Sequence, residues 1–410
     1  MLLALMLMGA LLMTACRKAE TVKTEEADAE QISETASEEE QEPEQELSMF
    51  SYFSPSMTRK QSIIYFLDSS FVSQRICYYD PATGASSPLC GKPECTHQEA
   101  SCNAFTGAPE YTILVDSDDE YIWWICYEKF GAPLYLWRSD ADGKNRLKVL
   151  KLAEYAESDS FPRGKTYAQI WEGRLIVGGF NYIVKDAEEA YRYHIDSYDL
   201  ESGDCTAVYD SGQTNKPRNL IMQCYQGKVY YCLTEYAKDE DPGKIEFMEN
   251  DIASGHEKRL YTSAWDIELN PSQISVFDNR LYFSSSNPET GTHLYELQID
   301  SGELKECFTL SMTSGILART VYAGYEPSEE GHFRLVLTDL SGNTLSDRTY
   351  PYAHEGMIPM LYSSGADEEN IYMRFEWGSD LETEILAIPY DGSDQKTIWQ
   401  EKWLTEIDGQ

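Results

Sequence analysis

A chain of 410 residues with 70 acidic side chains against 33 basic ones carries a net charge of −37. It lacks the surplus of Lys and Arg that displaces counterions from phosphates, which excludes nucleic acid as a partner and disfavours anionic lipid headgroups on the same ground. The 42% of hydrophobic residues supplies enough apolar material for two ordinary domains or one large array of repeats.

The first element is an apolar run from Leu2 to Met13. It has the length of a secretory leader and is too short to cross a hydrocarbon layer of roughly 30 Å as a helix. It ends in Met13-Thr14-Ala15-Cys16, which resembles the lipobox of bacterial lipoproteins. The resemblance implies a signal peptide over residues 1–15, lipidation of Cys16, and an extracytoplasmic protein held to the cell membrane by that lipid. From Arg17 to Leu47 twelve acidic residues face three basic ones, with no aromatic residue. Such a stretch cannot bury enough apolar surface to offset its ordering entropy, so residues 16–47 read as a disordered tether extended by self-repulsion.

At Ser48 the composition changes, and residues 48–410 show two alternating markers. One is an apolar segment ending in Asp with a Gly shortly after, a turn signal. It occurs at Asp80 and Gly84, Asp140 and Gly143, Asp199 and Gly203, Asp251 and Gly255, Asp300 and Gly302, Asp339 and Gly342, and Asp391-Gly392. The other is a polar turn running into an aromatic strand: Lys60 to Phe66, Asp118 to Trp124, Glu172 to Val177, Gln226 to Tyr231, Asp278 to Phe283 and Glu369 to Met373, with a degraded copy at Thr320 to Gly324. Each repeat has room for four short strands and shows no sustained helical periodicity. A four-stranded sheet cannot bury both faces alone, so the units must stack, and around an axis they form an all-β propeller. Seven blades are expected, the first irregular; six or eight would fit the same spacing. Ser48 to Ser54 is expected to supply a strand closing the ring on the last blade.

The Gly-Lys-Val-Tyr-Tyr and Asn-Arg-Leu-Tyr-Phe strand starts, at Gly227 and Asn279, with their Asp and Gly hairpins, are similar to those of bacterial propeller lipoproteins grouped with the receptor-type six-bladed propellers. The resemblance covers nearly all of residues 48–410 and implies a fold rather than an activity.

One constellation departs from the repeat: Cys90, Cys95, His97 and Cys102, in the pattern C-x4-C-x-H-x4-C just after the first Asp and Gly turn, where a loop inserted between blades is expected. Its spacing looks like one that recurs in those propeller lipoproteins. Three chemistries compete for it. Thiolates and an imidazole can close a tetrahedron around one zinc or similar soft ion. Disulfides can form among Cys77, Cys90, Cys95, Cys102 and Cys126 in an exported protein, although nine cysteines besides Cys16 leave one unpaired. A redox-active thiol beside His97 is the third reading. Cys205, Cys224, Cys232 and Cys307 lie in strand-like stretches and read as buried small hydrophobes.

Catalytic patterns are missing. The chain has no Gly-x-Ser-x-Gly elbow, no phosphate-binding Gly loop and no His-Glu-x-x-His. His194 and His256 adjoin turns and read as surface residues. Asp116 to Glu120 and Asp140 to Gly143 resemble fragments of a calcium loop without its distal Glu and read as hairpin turns. The tryptophans and tyrosines recur at strand entries and read as architecture rather than as sugar platforms. The expected function is a membrane-anchored extracytoplasmic binding protein that presents propeller loops to a glycan, peptide or envelope protein. The alternative is an envelope lyase or glycosidase on a propeller frame.

Overall fold

The computed structural model describes residues 57–401, apart from positions 61, 93, 96, 118, 217, 313, 319 and 368 and the segments 70–73, 98–100, 108–111, 128–132, 154–159, 163–166, 186–187, 238–241, 267–268, 328–331, 352–359 and 378–381. The leader, Cys16, the acidic tether and the closing strand expected at Ser48 to Ser54 lie outside the described residues.

Seven antiparallel sheets follow one another along the chain. Blade I holds β1 (Met57–Lys60), β2 (Ile63–Ser69), β3 (Gln74–Asp80), β4 (Ala85–Pro88) and β5 (Phe105–Gly107). Blade II is β6 (Ile113–Val115), β7 (Ile122–Tyr127), β8 (Leu134–Ser139) and β9 (Leu147–Ala153). Blade III is β10 (Ser160–Pro162), β11 (Tyr167–Trp171), β12 (Arg174–Lys185), β13 (Glu188–Asp199) and β14 (Cys205–Asp210). Blade IV is β15 (Arg218–Tyr225), β16 (Lys228–Glu235), β17 (Lys244–Asp251) and β18 (Glu257–Ala264). Blade V is β19 (Pro271–Phe277), β20 (Arg280–Asn287), β21 (Gly291–Gln298) and β22 (Leu304–Leu310). Blade VI is β23 (Ser314–Ala318), β24 (Val321–Pro327), β25 (His332–Asp339) and β26 (Thr344–Pro351). Blade VII is β27 (Met360–Ala366), β28 (Asn370–Trp377), β29 (Glu382–Pro389) and β30 (Lys396–Glu401).

The inner strands β1, β6, β11, β15, β19, β23 and β27 neighbour one another in that order, and β27 meets β1, so the ring is closed with seven blades. All four strands of blade VII come from residues 360–401, and none is exchanged with the N-terminal side among the described residues. Side chains make the closure. Phe66 meets Trp399 edge-on with centroids 5.3 Å apart. Arg374 Nη1 donates to the Leu67 carbonyl at 2.7 Å, and Lys396 Nζ donates to the Tyr79 hydroxyl at 3.1 Å.

Each sheet is covered on both faces by its neighbours, so the second strand of a blade is buried along most of its length rather than at alternate residues. In β16 every residue from Val229 to Glu235 is buried. Adjacent residues serve opposite seams: Trp124 packs toward blade I and Trp123 toward blade III. The outermost strands face solvent, which corrects the reading of two cysteines. Cys205 on β14 is exposed and Cys307 on β22 half-buried, whereas Cys224 and Cys232 are buried as expected.

Both repeat markers lie at one end of the propeller. The polar turns join first to second strands, as tight two-residue hairpins at Glu172-Gly173, Gln226-Gly227 and Asp278-Asn279, where both residues take positive φ as a type I′ turn requires. The Asp and Gly turns join third to fourth strands. There the Asp carboxylates accept local donors: Asp251 from the Ser254 amide and hydroxyl, both at 2.7 Å, and Asp339 from the amides of Ser341 and Asn343 at 2.9 Å. These bonds hold Asp80, Asp199, Asp251, Asp339 and Asp391 below the ordinary carboxyl value of 3.8. A depressed folded-state pKa contributes stability that is complete above the unfolded value and is lost as pH falls through the folded one. The guanidinium midpoint is therefore expected to drop once pH goes below about 4, the salt screening the competing relief of net negative charge. An unchanged midpoint between pH 5 and pH 3 would refute this.

Near the axis, glutamines stitch blade to blade. Gln169 Oε1 accepts the Cys224 amide at 3.3 Å, Gln223 Oε1 the Val276 amide at 2.6 Å and Gln273 Oε1 the Leu317 amide at 2.6 Å. The free edge of an inner strand would otherwise bury unpaired amides. Replacing Gln223 with Leu keeps the apolar volume and orphans the Val276 amide, so a loss of about 1–3 kcal/mol is expected in urea titration.

Candidate functional site

The Cys/His loop is an excursion from within blade I, not an insertion between blades as its sequence position suggested. β4 pairs with the Cys77 to Asp80 part of β3, and β5 takes up the same edge opposite Gln74 and Arg75. The chain leaves and returns at a single residue: the Leu89 amide donates to the Ile76 carbonyl at 2.9 Å, and the Ile76 amide donates to the Ala104 carbonyl at 2.8 Å. β5 restores the strand that β4 leaves unfinished, which is why the first blade reads as irregular.

Within the excursion Cys90, Cys95, His97 and Cys102 converge, with one sulfur or ring nitrogen from each lying within 4.8 Å of all the others. His97 Nδ1 is 3.4 Å from Cys102 Sγ. The Cys95 amide donates to the Lys92 carbonyl at 3.2 Å, and Lys92 Nζ donates to the Ser101 carbonyl at 2.6 Å, tying the two arms together. His97 sits at φ +60°, a left-handed conformation that costs a non-glycine residue roughly 1–2 kcal/mol and here points its ring at the sulfurs. The amides of Lys92 and Asn103 lie toward the Cys90 sulfur and that of Ala104 toward the Cys102 sulfur, while the Phe105 amide donates to the Cys102 carbonyl at 3.3 Å.

The electrostatics differ across the cluster. Burial pushes the Cys90 thiol up, but the two amides and the neighbouring thiols outweigh it and hold it below its ordinary value. Burial drives Cys102 up to about 11. Burial, joined by the positive charge of Arg75, holds His97 below the usual imidazole value, favouring the neutral, ligating form.

The loop packs on the seam between blades I and II. Leu89 and Cys102 share an apolar cluster with Trp124 and Cys126 of blade II. Arg146 donates to the Phe105 carbonyl, and its guanidinium lies over Trp137, 4.8 Å from the ring centre, and Trp124, 5.5 Å away. No disulfide joins any of the described cysteines. Cys77 is on the opposite face of β3, in the cluster shared with blade VII, so a bridge from it to the loop would have to cross the sheet. Cys126 donates to the Thr106 carbonyl at 3.0 Å.

The remaining candidates resolve into local structure. Asp119 accepts the Tyr121 amide at 3.0 Å and the Trp123 indole at 2.9 Å, and Asp140 accepts the Gly143 amide through its carbonyl, so both acidic stretches are turns. His194 pairs with Asp196 at 2.8 Å, and His256 lies exposed in the turn after β17. The side chain of Trp377, and Trp403, lie outside the described residues.

The opposite end of the propeller carries no repeat marker. Its connections have unequal lengths, and in blade III the strands β12 and β13 run twelve residues each where blade IV has eight. The surplus projects this hairpin roughly 13 Å past the blade at ~3.3 Å per residue. Phe180, Tyr191 and Tyr193 cluster at its base, with Phe180 and Tyr193 5.5 Å apart.

The fold is thus a closed seven-bladed β-propeller. No protein-family model matches the chain, and no curated protein matches it. Among solved structures, a puromycin-hydrolyzing peptidase of Mycobacterium tuberculosis superposes with a TM-score of 0.53 at 12% identity, over 89% of this chain and 57% of the peptidase. A puromycin hydrolase superposes with a TM-score of 0.55 at 10% identity, over 86% of this chain and 54% of its own. The chain spans little more than half the length of these structures, and at such identities the likeness is one of fold alone.

Proposed function

We propose that this protein is a lipid-anchored extracytoplasmic binding propeller, held to the membrane through Cys16 and offering the marker-free end of the ring to a glycan, peptide or envelope protein. The observation that carries this reading is the asymmetry of the two ends. Repeating tight turns occupy one end, while unequal connections and the projecting β12–β13 hairpin occupy the other. Loops free to vary on a rigid frame are where recognition concentrates. The structural neighbours are named as hydrolases of puromycin. This chain has no Gly-x-Ser-x-Gly elbow, so a binding role is the simpler reading.

The test is to array the full chain, in detergent, against envelope glycans and peptides, and to repeat it with residues 182–189 replaced by an Asn-Gly turn. Binding without product, lost in the trimmed variant, supports the reading. Product formation would move the protein to the enzyme alternative. For the anchor, Cys16→Ser is expected to abolish incorporation of labelled palmitate; retained labelling would refute it.

A further inference from the structure

We propose that Cys90, Cys95, His97 and Cys102 hold a single zinc ion with no open position, and that this ion folds the excursion of blade I and fastens it to the seam with blade II. Three observations point the same way. Four soft donors lie within 4.8 Å of one another, and a tetrahedral ion with zinc–sulfur bonds of about 2.3 Å sets its sulfurs roughly 3.8 Å apart. The 3.4 Å between His97 Nδ1 and Cys102 Sγ is the separation of two ligands on one ion and too close for donors on two different irons of a cluster. The Cys95 amide bonded to the Lys92 carbonyl and Lys92 Nζ bonded to the Ser101 carbonyl hold together the two arms that carry the ligands. A disulfide between two of the cysteines would use neither the third sulfur nor the left-handed turn that aims His97.

The role follows from the place. Residues 89–104 leave the sheet and return at Ile76, and their own apolar content is little more than Leu89, Ala100 and Ala104. A loop of this size has no core of its own, so a metal is the natural staple. All four positions are filled by protein, as in structural zinc sites, which leaves none for an activated water. On binding, the thiols ligate as thiolates and their protons go to solvent.

The test is elemental analysis of the full chain purified anaerobically, with calorimetric melting before and after chelation. About one equivalent of zinc is expected, reduced about tenfold or more in Cys95→Ser and His97→Ala, and kept in His97→Cys, which preserves four ligands. Cys205→Ser, on an outer strand, should leave the metal content unchanged. Chelation should lower the melting midpoint of the parent chain and leave that of Cys95→Ser where it is. If His97→Ala fails to fold, His97→Cys and the chelation shift still decide. Zinc-free protein with two of the loop cysteines oxidised, or zinc retained in both ligand variants, would overturn the proposal.

Discussion

Replacing Phe66 with alanine is expected to lower the unfolding free energy by about 3–5 kcal/mol and to loosen the ring between its first and last blades. Phe66 is fully buried, edge-on to Trp399, in a cluster drawn from β1, β2 and β3 on one side and β28, β29 and β30 on the other. Every other seam joins blades that are consecutive in the chain. The contacts across this one include the Phe66 cluster, the Arg374 to Leu67 bond and the Lys396 to Tyr79 bond. A cavity here therefore weakens a contact that no linker keeps at high local concentration. The control is Phe247→Ala, which removes an equally buried ring facing Phe283 at 4.7 Å between blades IV and V, where the chain itself tethers the blades. Both variants should lose comparable stability in urea. Amide exchange should rise selectively in β1, β2, β28 and β29 only for Phe66→Ala; an equal rise across all blades would count against ring closure by side chains.

What could be read from residues alone was whatever local chemistry dictates. A type I′ turn needs two residues tolerant of positive φ, so Gln226-Gly227 announced itself, and Asp251 announced its hairpin because its carboxylate bonds the turn it begins. Counting such turns yields the blade number. The Cys/His cluster was legible because its four donors lie within thirteen residues of one another. The glutamine stitches were not. Gln169, Gln223 and Gln273 each bond an amide 44 to 55 residues away in the next blade, and nothing in their own neighbourhood distinguishes them from surface glutamines. The excursion at Ile76 was misplaced for the same reason. That β5 returns to β3 is a long-range pairing, and three residues of strand signal are too few to declare it. The exposure of Cys205 and Cys307 followed from blade position, which an apolar neighbourhood does not encode.

The second large effect is expected at Gly143, where the turn of blade II meets the excursion of blade I. Two glycines with nearly the same φ differ in what a Cβ would meet. Gly173 has φ +74° and open space where a Cβ would stand; Gly143 has φ +77°, and its Cβ would stand 2.6 Å from the Leu89 carbonyl oxygen and 3.3 Å from Asn103 Cβ. Gly173→Ala should thus register the conformational term alone, about 1 kcal/mol. Gly143→Ala carries that term and a collision with backbone that cannot rotate away, for a total of about 2–4 kcal/mol. The displaced group is Leu89, whose amide closes the excursion on Ile76, and the Asn103 amide lies toward the Cys90 sulfur. Strain from blade II is therefore transmitted to the base of the Cys/His loop, and cleavage after the exposed Glu94 by a glutamate-specific protease should accelerate in Gly143→Ala but not in Gly173→Ala. Equal losses of stability in the two variants would mean that the excursion does not bear on blade II.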